Sequence, residues 1–224
     1  MDKIIKELNK LNDIEILPIT DQSFTSFGRV LDSKHFSDAI EYLCNRTDVP
    51  KSGNHYLAHD PELEESILAK DVYTDIFGGI KLQYGYVNGH NQLLNSLEYH
   101  KSSEINIAAS SFIVMVGHTK DIEMLKYKTN NVKAYYVPKG TVIEFYPFTL
   151  HFSPCEVSEF GFKCGVILPY HTNVDFVKAA VLNKNEDQLL FKTNKWILSH
   201  NEHARFIDLG VVGRLEGINY KIRY

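Results

Sequence analysis

Apolar residues at Ile4, Ile5, Leu8 and Leu11 recur at the spacing of one helix face, so the chain is expected to open on an amphipathic helix. Asp21 is placed to cap a short helix closed by Gly28, with Phe24 and Phe27 on its buried side. Phe36, Ile40 and Leu43 share a face of a further helix over His35 to Cys44. Asp60-Pro61 then supplies the cap and first-turn proline of another, running through Leu63, Ile67 and Leu68. At Gly78-Gly79 the period changes. Short β-branched and aromatic segments follow, separated by turn residues: Ile80 to Val87, Leu93 to His100, Glu104 to Ala108, Ser111 to Gly117, Val132 to Val137, Thr141 to Tyr146 and Lys163 to Pro169. This spacing predicts an antiparallel sandwich or barrel rather than βαβ units. Pro138-Lys139-Gly140 marks a turn, with proline presetting φ and glycine accepting a positive one. Beyond Val174 the pattern gives a short helix (Val174 to Leu182), a strand around Gln188 to Lys192, and a loop about Trp196, His200 and His203, with Trp196 a packing residue.

The 224 residues contain no internal repeat and no Ser/Pro-rich linker, which favours one domain over two. Its expected parts are a helical N-terminal extension (1–77), a β core (78–170) and a C-terminal extension (171–224) that packs on the core and shapes its mouth. With 24 Lys+Arg against 28 Asp+Glu and no run of one sign, the chain lacks the basic stripe that phosphate neutralisation needs, so nucleic acid is not an expected partner. Nothing apolar is long enough for a signal peptide or a membrane span, and a cytoplasmic protein is expected. Cys44, Cys155 and Cys164 form no C-x-x-C pair and read as reduced, buried thiols.

The segment Leu97-Glu98-Tyr99-His100-Lys101-Ser102-Ser103-Glu104 carries the chemistry. Alternation along a strand points Glu98 and His100 to one face, where both can reach one ion. Glu104 lies four residues on, past a Ser-Ser turn, and His151 follows another apolar strand. Two carboxylates and two imidazoles make a mixed N/O site suited to a divalent transition metal (Zn, Mn, Fe or Ni) with positions left open for substrate. On the strand before His151, Glu144 and Tyr146 alternate with Ile143 and Phe145; if the apolar pair faces the outer helices, the polar pair faces the cavity. Lys133 on the neighbouring strand, with Glu144 and Tyr146, is then a candidate acid/base. Tyr135 and His90 are candidate substrate-binding residues, His90 at the barrel mouth.

The spacing of Glu98, His100, Glu104 and His151 resembles the cupin metal motif, H-x-H followed by x3-4 and E with a later histidine. Glu98 stands where that motif has its first histidine, and Pro147-Phe148-Thr149-Leu150-His151 lacks the glycine of the usual P-x-G-x-x-H. Ile16-Leu17-Pro18-Ile19-Thr20, Phe24-Thr25-Ser26-Phe27-Gly28 and Leu97-Glu98-Tyr99-His100 are similar to segments of the ureidoglycolate lyase branch, with Tyr99 in place of its arginine. The whole chain more closely resembles an uncharacterised bacterial cupin family marked by Gly89-His90-Asn91, Leu97 to Glu104 and Asn194-Lys195-Trp196. The resemblance implies a mainly β fold, a cupin (jelly-roll) barrel with helical N-terminal and C-terminal extensions, and often a homodimer. It also implies a metal-dependent isomerase or lyase acting on a small polar metabolite, a sugar, sugar acid or hydroxy-carbonyl compound, through an enolate or enediolate. The rival expectations are a dioxygenase, a non-catalytic ligand-binding cupin, or a ureidoglycolate lyase.

Overall fold

A computed structural model describes residues 1–67, 72–175 and 186–224. The opening helix forms as α1 (Asp2–Leu11), burying Ile5 and Leu8. Asp21 caps a single 3₁₀ turn, Gln22–Ser26, by accepting from the Ser23 amide. The next helix is α2 (Ser37–Arg46). Asp60 caps α3 (Pro61–Glu65), accepting from the Glu62 and Leu63 amides, with proline in the first turn. This helix stops at Glu65, so Ile67 lies beyond it, and Leu68 falls outside the described residues. The head also holds strands that the helical reading passed over: β1 (Ile16–Pro18), β2 (Gly28–Leu31) and β3 (Asn54–Leu57).

The core strands follow the predicted order. They are β4 (Leu82–Gly89), β5 (Ser96–Tyr99), β6 (Glu104–Ala108), β7 (Phe112–His118), β8 (Tyr127–Lys128), β9 (Lys133–Val137), β10 (Val142–Phe145), β11 (Thr149–Leu150), β12 (Cys155–Glu156) and β13 (Phe162–Pro169). One sheet runs β2-β10-β6-β13-β4-β3, and the facing sheet runs β1-β9-β7-β11, with β12 on the other end of β7. The chain crosses between these two sheets from β6 to β7, β9 to β10, β10 to β11 and β12 to β13, the two-sheet antiparallel arrangement of a jelly roll. The cupin barrel expected from the sequence is therefore the fold. Gly140, with φ +86°, makes the turn between β9 and β10.

Strand parity then assigns the three layers of apolar residues. Phe112, Val114, Tyr135, Ile143, Phe145, Phe162 and Cys164 fill the space between the sheets. Ile105, Ile107 and Ile167 face outward beneath α2 and α3. Ile113, Met115, Ala134 and Tyr136 face the opposite way, under α1 and the C-terminal segment. Gly165 lets α2 lie close, because a Cβ there would stand 2.8 Å from Leu43 Cδ1.

The tail contributes β14 (Leu190–Lys192), β15 (Lys195–Ser199), α4 (Ala204–Asp208) and β16 (Leu215–Glu216). The stretch about Trp196 is a strand rather than the expected loop, since Trp196, Ile197 and Leu198 pair with Tyr99, Glu98 and Leu97 of β5. Trp196 packs as expected, stacked on Tyr99 at 5.5 Å between ring centroids. Of the helix expected over Val174 to Leu182, residues 176–182 lie outside those described, and Val174 and Asp175 are not helical. All three cysteines are free. Among the described residues no helix is long and apolar enough to cross a membrane.

Phe145 joins the inter-sheet core to the face of His151, 4.7 Å between centroids and nearly parallel. Phe145→Ala is expected to destabilise the protein by about 3–5 kcal/mol, the usual cost of emptying a buried phenylalanine site, measured by urea unfolding.

Candidate metal centre

β5 is hydrogen-bonded to β15 on one side, and on the other it meets the segment after β11 through a single antiparallel bridge between Glu98 and His151. The Glu98 amide donates to the His151 carbonyl at 2.7 Å, and the His151 amide donates back at 2.9 Å. Directly opposite residues share a face, so this bridge puts the Glu98 carboxylate beside the His151 imidazole. Alternation carries His100 to the same face, and β6 brings Glu104 in from the opposing sheet.

The four side chains predicted as ligands converge and are buried. Glu104 Oε2 lies 3.2 Å from Nε2 of His100 and 3.2 Å from Nε2 of His151. Glu98 Oε1 is 3.9 Å from His100 Nε2. One ligand atom from each of Glu98, His100 and His151 lies within 4.8 Å of the others. Both rings are anchored from behind: His100 Nδ1 donates to the Asn194 carbonyl at 2.5 Å, and His151 Nδ1 donates to the Thr149 carbonyl at 2.9 Å. A carbonyl only accepts, so Nδ1 carries the proton on each ring and Nε2 is the atom turned to the cluster. Asn106 Nδ2 holds the other Glu104 oxygen at 2.7 Å.

This donor set fits a divalent transition ion. Two inward Nε2 atoms and two carboxylates are the ligands such ions prefer, and the buried His100 Nε2 has no aligned hydrogen bond of its own. Burial pushes the Glu104 carboxyl up, but the charges and hydrogen bonds of His151 and His100 outweigh it and hold the group well below the usual carboxylate range. Burial pushes His151 down, and Glu104 with Glu98 outweighs that and raises it.

A cavity of about 500 Å³ opens beside the cluster, lined by Glu98, Glu104 and His151. Its wall on the β6 sheet continues through Asn106, Val166 and Val87 to Tyr56, all on the inner face by register. The tail supplies Phe191, Lys192, Lys195, Arg205, Phe206 and Leu209.

The other predicted site residues lie elsewhere. Ile143 and Phe145 face inward opposite Asn106 and Glu104, so Glu144 points to the outer, helix-covered face. There it accepts from Arg29 Nε at 2.6 Å and from Ser103 Oγ at 2.7 Å. Tyr146, of the same parity, is half-buried and does not line the cavity. Lys133, the first residue of β9, is exposed. Tyr135 is buried between the sheets with its hydroxyl on Ser23 Oγ at 2.8 Å, and its ring packs on Phe24. His90 Nδ1 pairs with the buried Glu156 at 2.7 Å, which holds it in a turn away from the cavity.

Sequence reasoning missed Lys195. Its ammonium contacts Glu98 Oε2, and the side chain is 13% exposed. Extending the β5–β15 register places it opposite His100, on the ligand face. Its signal was the Asn194-Lys195-Trp196 segment, which appeared only as a mark of family likeness. Asn194 belongs to the same turn, at φ +54°, and its side chain binds the Lys101 amide and Ser102 Oγ.

A family model described as a domain of unknown function (DUF4867) matches residues 16–220. Among curated protein sequences none is significantly similar to the chain. Among solved structures, the chain is similar to a variant of oxalate decarboxylase from Bacillus subtilis, with 12% identity and a TM-score of 0.37 over 76% of this chain and 36% of that one. It is also similar to a recombinant pro-11S globulin of pumpkin, with 13% identity and a TM-score of 0.34 over 55% of this chain and 28% of that one. The chain thus spans about a third or less of the length of these structures.

The two opposed shifts give the metal-free cluster a pH signature. The contribution of Glu104 is present above the ordinary carboxylate value of 4.5 and is lost only as pH falls well below it. The raised value of His151 contributes stability that is complete below 6.5 and is lost as pH rises through the folded-state value. The Tm of metal-free protein is expected to fall as pH is raised above 6.5, and His151→Asn to flatten that slope, measured by scanning calorimetry.

Proposed function

The chain belongs to the DUF4867 family, and we propose that it is a metal-dependent cupin enzyme, an isomerase or lyase acting on a small hydroxy-carbonyl metabolite through an enolate or enediolate. One observation carries the reading: the inward Nε2 atoms of His100 and His151 meet Glu98 and Glu104 at the wall of a small-molecule cavity. His100, His151, Glu104 and Glu98 would hold a divalent transition metal. When bound, it supplies a Lewis acid that polarises a carbonyl and stabilises negative charge developing on oxygen.

The remaining work falls to the chain's own side chains. With Glu144, Tyr146 and Lys133 off the cavity, Lys195 is the proton-holding group set against the cluster, and we assign it the proton transfer at Nζ. Tyr56 accepts at its hydroxyl from Asn173 Nδ2 at 3.1 Å, which leaves its own proton to orient a substrate oxygen. Phe191, Phe206 and Leu209 reduce water access from the mouth.

Two narrower readings have their own support. The segment that resembles ureidoglycolate lyases, Leu97 to His100, contributes Glu98 and His100 to the cluster, and release of glyoxylate from ureidoglycolate by metal-replete protein tests that identity. The mutual pairing of Glu98 with Lys195, and of Glu104 with His151, also suits a non-catalytic ligand-binding cupin.

Protein purified with its metal is expected to carry about one transition-metal ion per chain, and His100→Ala/His151→Ala to carry none, by elemental analysis. Metal-replete protein in D₂O is expected to exchange the carbon-bound proton of a hydroxy-carbonyl substrate, read by NMR. Stoichiometric metal without such exchange in any hydroxy-carbonyl compound of a broad panel favours the binding protein.

A further inference from the structure

We infer that the cavity takes an anionic small molecule, its acid group held at the mouth by Arg205 and Lys192 while its other end reaches the His100–His151 cluster. The inference deepens the reading above and rests on the same cavity, but its support is a separate charge balance.

The inner acidic groups are already matched. Glu98 contacts the Lys195 ammonium, and Glu104 sits between the two imidazoles. The two outer cations are not matched in this way. Arg205, on α4, lines the cavity and has no hydrogen bond or ion pair from its guanidinium among the described residues. Lys192 also lines the cavity, and its partner Asp175, 2.8 Å away, has a side chain 91% exposed. Exposed pairs of this kind hold weakly, so Lys192 can exchange that carboxylate for one on a ligand. Were Glu98 and Glu104 committed to an ion, Lys195 would add to the surplus.

The neighbouring His203 adds no second charge, and aromatic rings flank the mouth. His203 is held neutral, pushed down to about 4 by burial first and by the Arg205 charge second. Phe206, one residue along α4, lines the cavity and packs edge-on against Phe152 and Phe191. A planar guanidinium beside a partly apolar mouth binds carboxylate or phosphate in bidentate fashion, while the ammonium of Lys192 serves as a point charge. Both acids present the same oxyanion chemistry, so the geometry selects an acidic metabolite over a neutral sugar.

The test is calorimetric titration of wild-type protein, metal-replete and metal-free, with matched probes at millimolar concentration: galacturonate against galactose, glucose 6-phosphate against glucose, and tartrate and inorganic phosphate alone. At least one acid is expected to bind about tenfold or more tightly than its neutral counterpart, with affinity falling as NaCl is raised. The carboxylate and phosphate arms identify which acid is preferred. Arg205→Gln, an exposed substitution checked by circular dichroism, is expected to reduce acid binding about tenfold with metal content unchanged, and Lys192→Gln to reduce it less. Equal binding of acids and neutral partners, no binding of any acid, or an unaltered preference in Arg205→Gln overturns the proposal. Loss of metal stoichiometry as a finding, with the acid preference intact, would overturn the metal reading alone. Bound metal with no acid preference would overturn this inference alone.

Discussion

Two backbone hydrogen bonds between Glu98 and His151 tie the site to the fold. β5 belongs by pairing to the tail sheet β14-β15-β5, and this bridge is its link to the strand end that follows β11. The bridge sets the register, and register sets parity: a slip of one residue would turn Glu98 and His100 into the outer layer and bring Leu97 and Tyr99 into the cavity. Tyr99 resists that slip, because its ring is stacked on Trp196 and its hydroxyl donates to Glu186 at 2.6 Å. The chemistry thus depends on a short antiparallel contact secured from its far side by aromatic packing.

Burying the cluster carries an electrostatic cost. Taking a carboxylate and an imidazolium out of water costs several kcal/mol per ion, and only close, fully bonded partners offset it. Glu104 meets that demand with Asn106 on one oxygen and His151 on the other, and the His100 ring stands 3.2 Å from the latter. His100 Nε2 remains without an aligned bond. That incomplete satisfaction distinguishes the cluster from the carboxylate of Glu144, which is buried but paired with half-exposed Arg29 and with Ser103, so that each of its oxygens has a donor.

The legible parts of the chain were those governed by local periodicity. Strand alternation put Glu98 and His100 on one face, the run of short antiparallel strands followed from turn residues, and Asp21 and Asp60 cap where their positions predict. Glu104 and His151 followed from ligand chemistry and family likeness jointly. Glu144 was misplaced for an identifiable reason: the barrel interior is mostly apolar, so the inward face of β10 is Ile143 and Phe145, and a polar residue on that strand belongs outside. Lys195 and Arg205 were illegible because their relevance depends on how the tail lies over the mouth, which no local pattern encodes. The three head strands were hidden because each is only three or four residues long and is completed by partners far along the chain.

The hydrogen bond from His100 to the Asn194 carbonyl joins the cluster to a turn more than ninety residues later in the chain. Anything that fixes the His100 ring therefore favours the docked β14–β15 hairpin, and by thermodynamic linkage anything that draws the hairpin away weakens the grip on whatever His100 holds. Were His100 to hold an ion, filling the centre and seating the hairpin would be linked through this one bond, whose acceptor belongs to the turn that also carries Lys195 to Glu98.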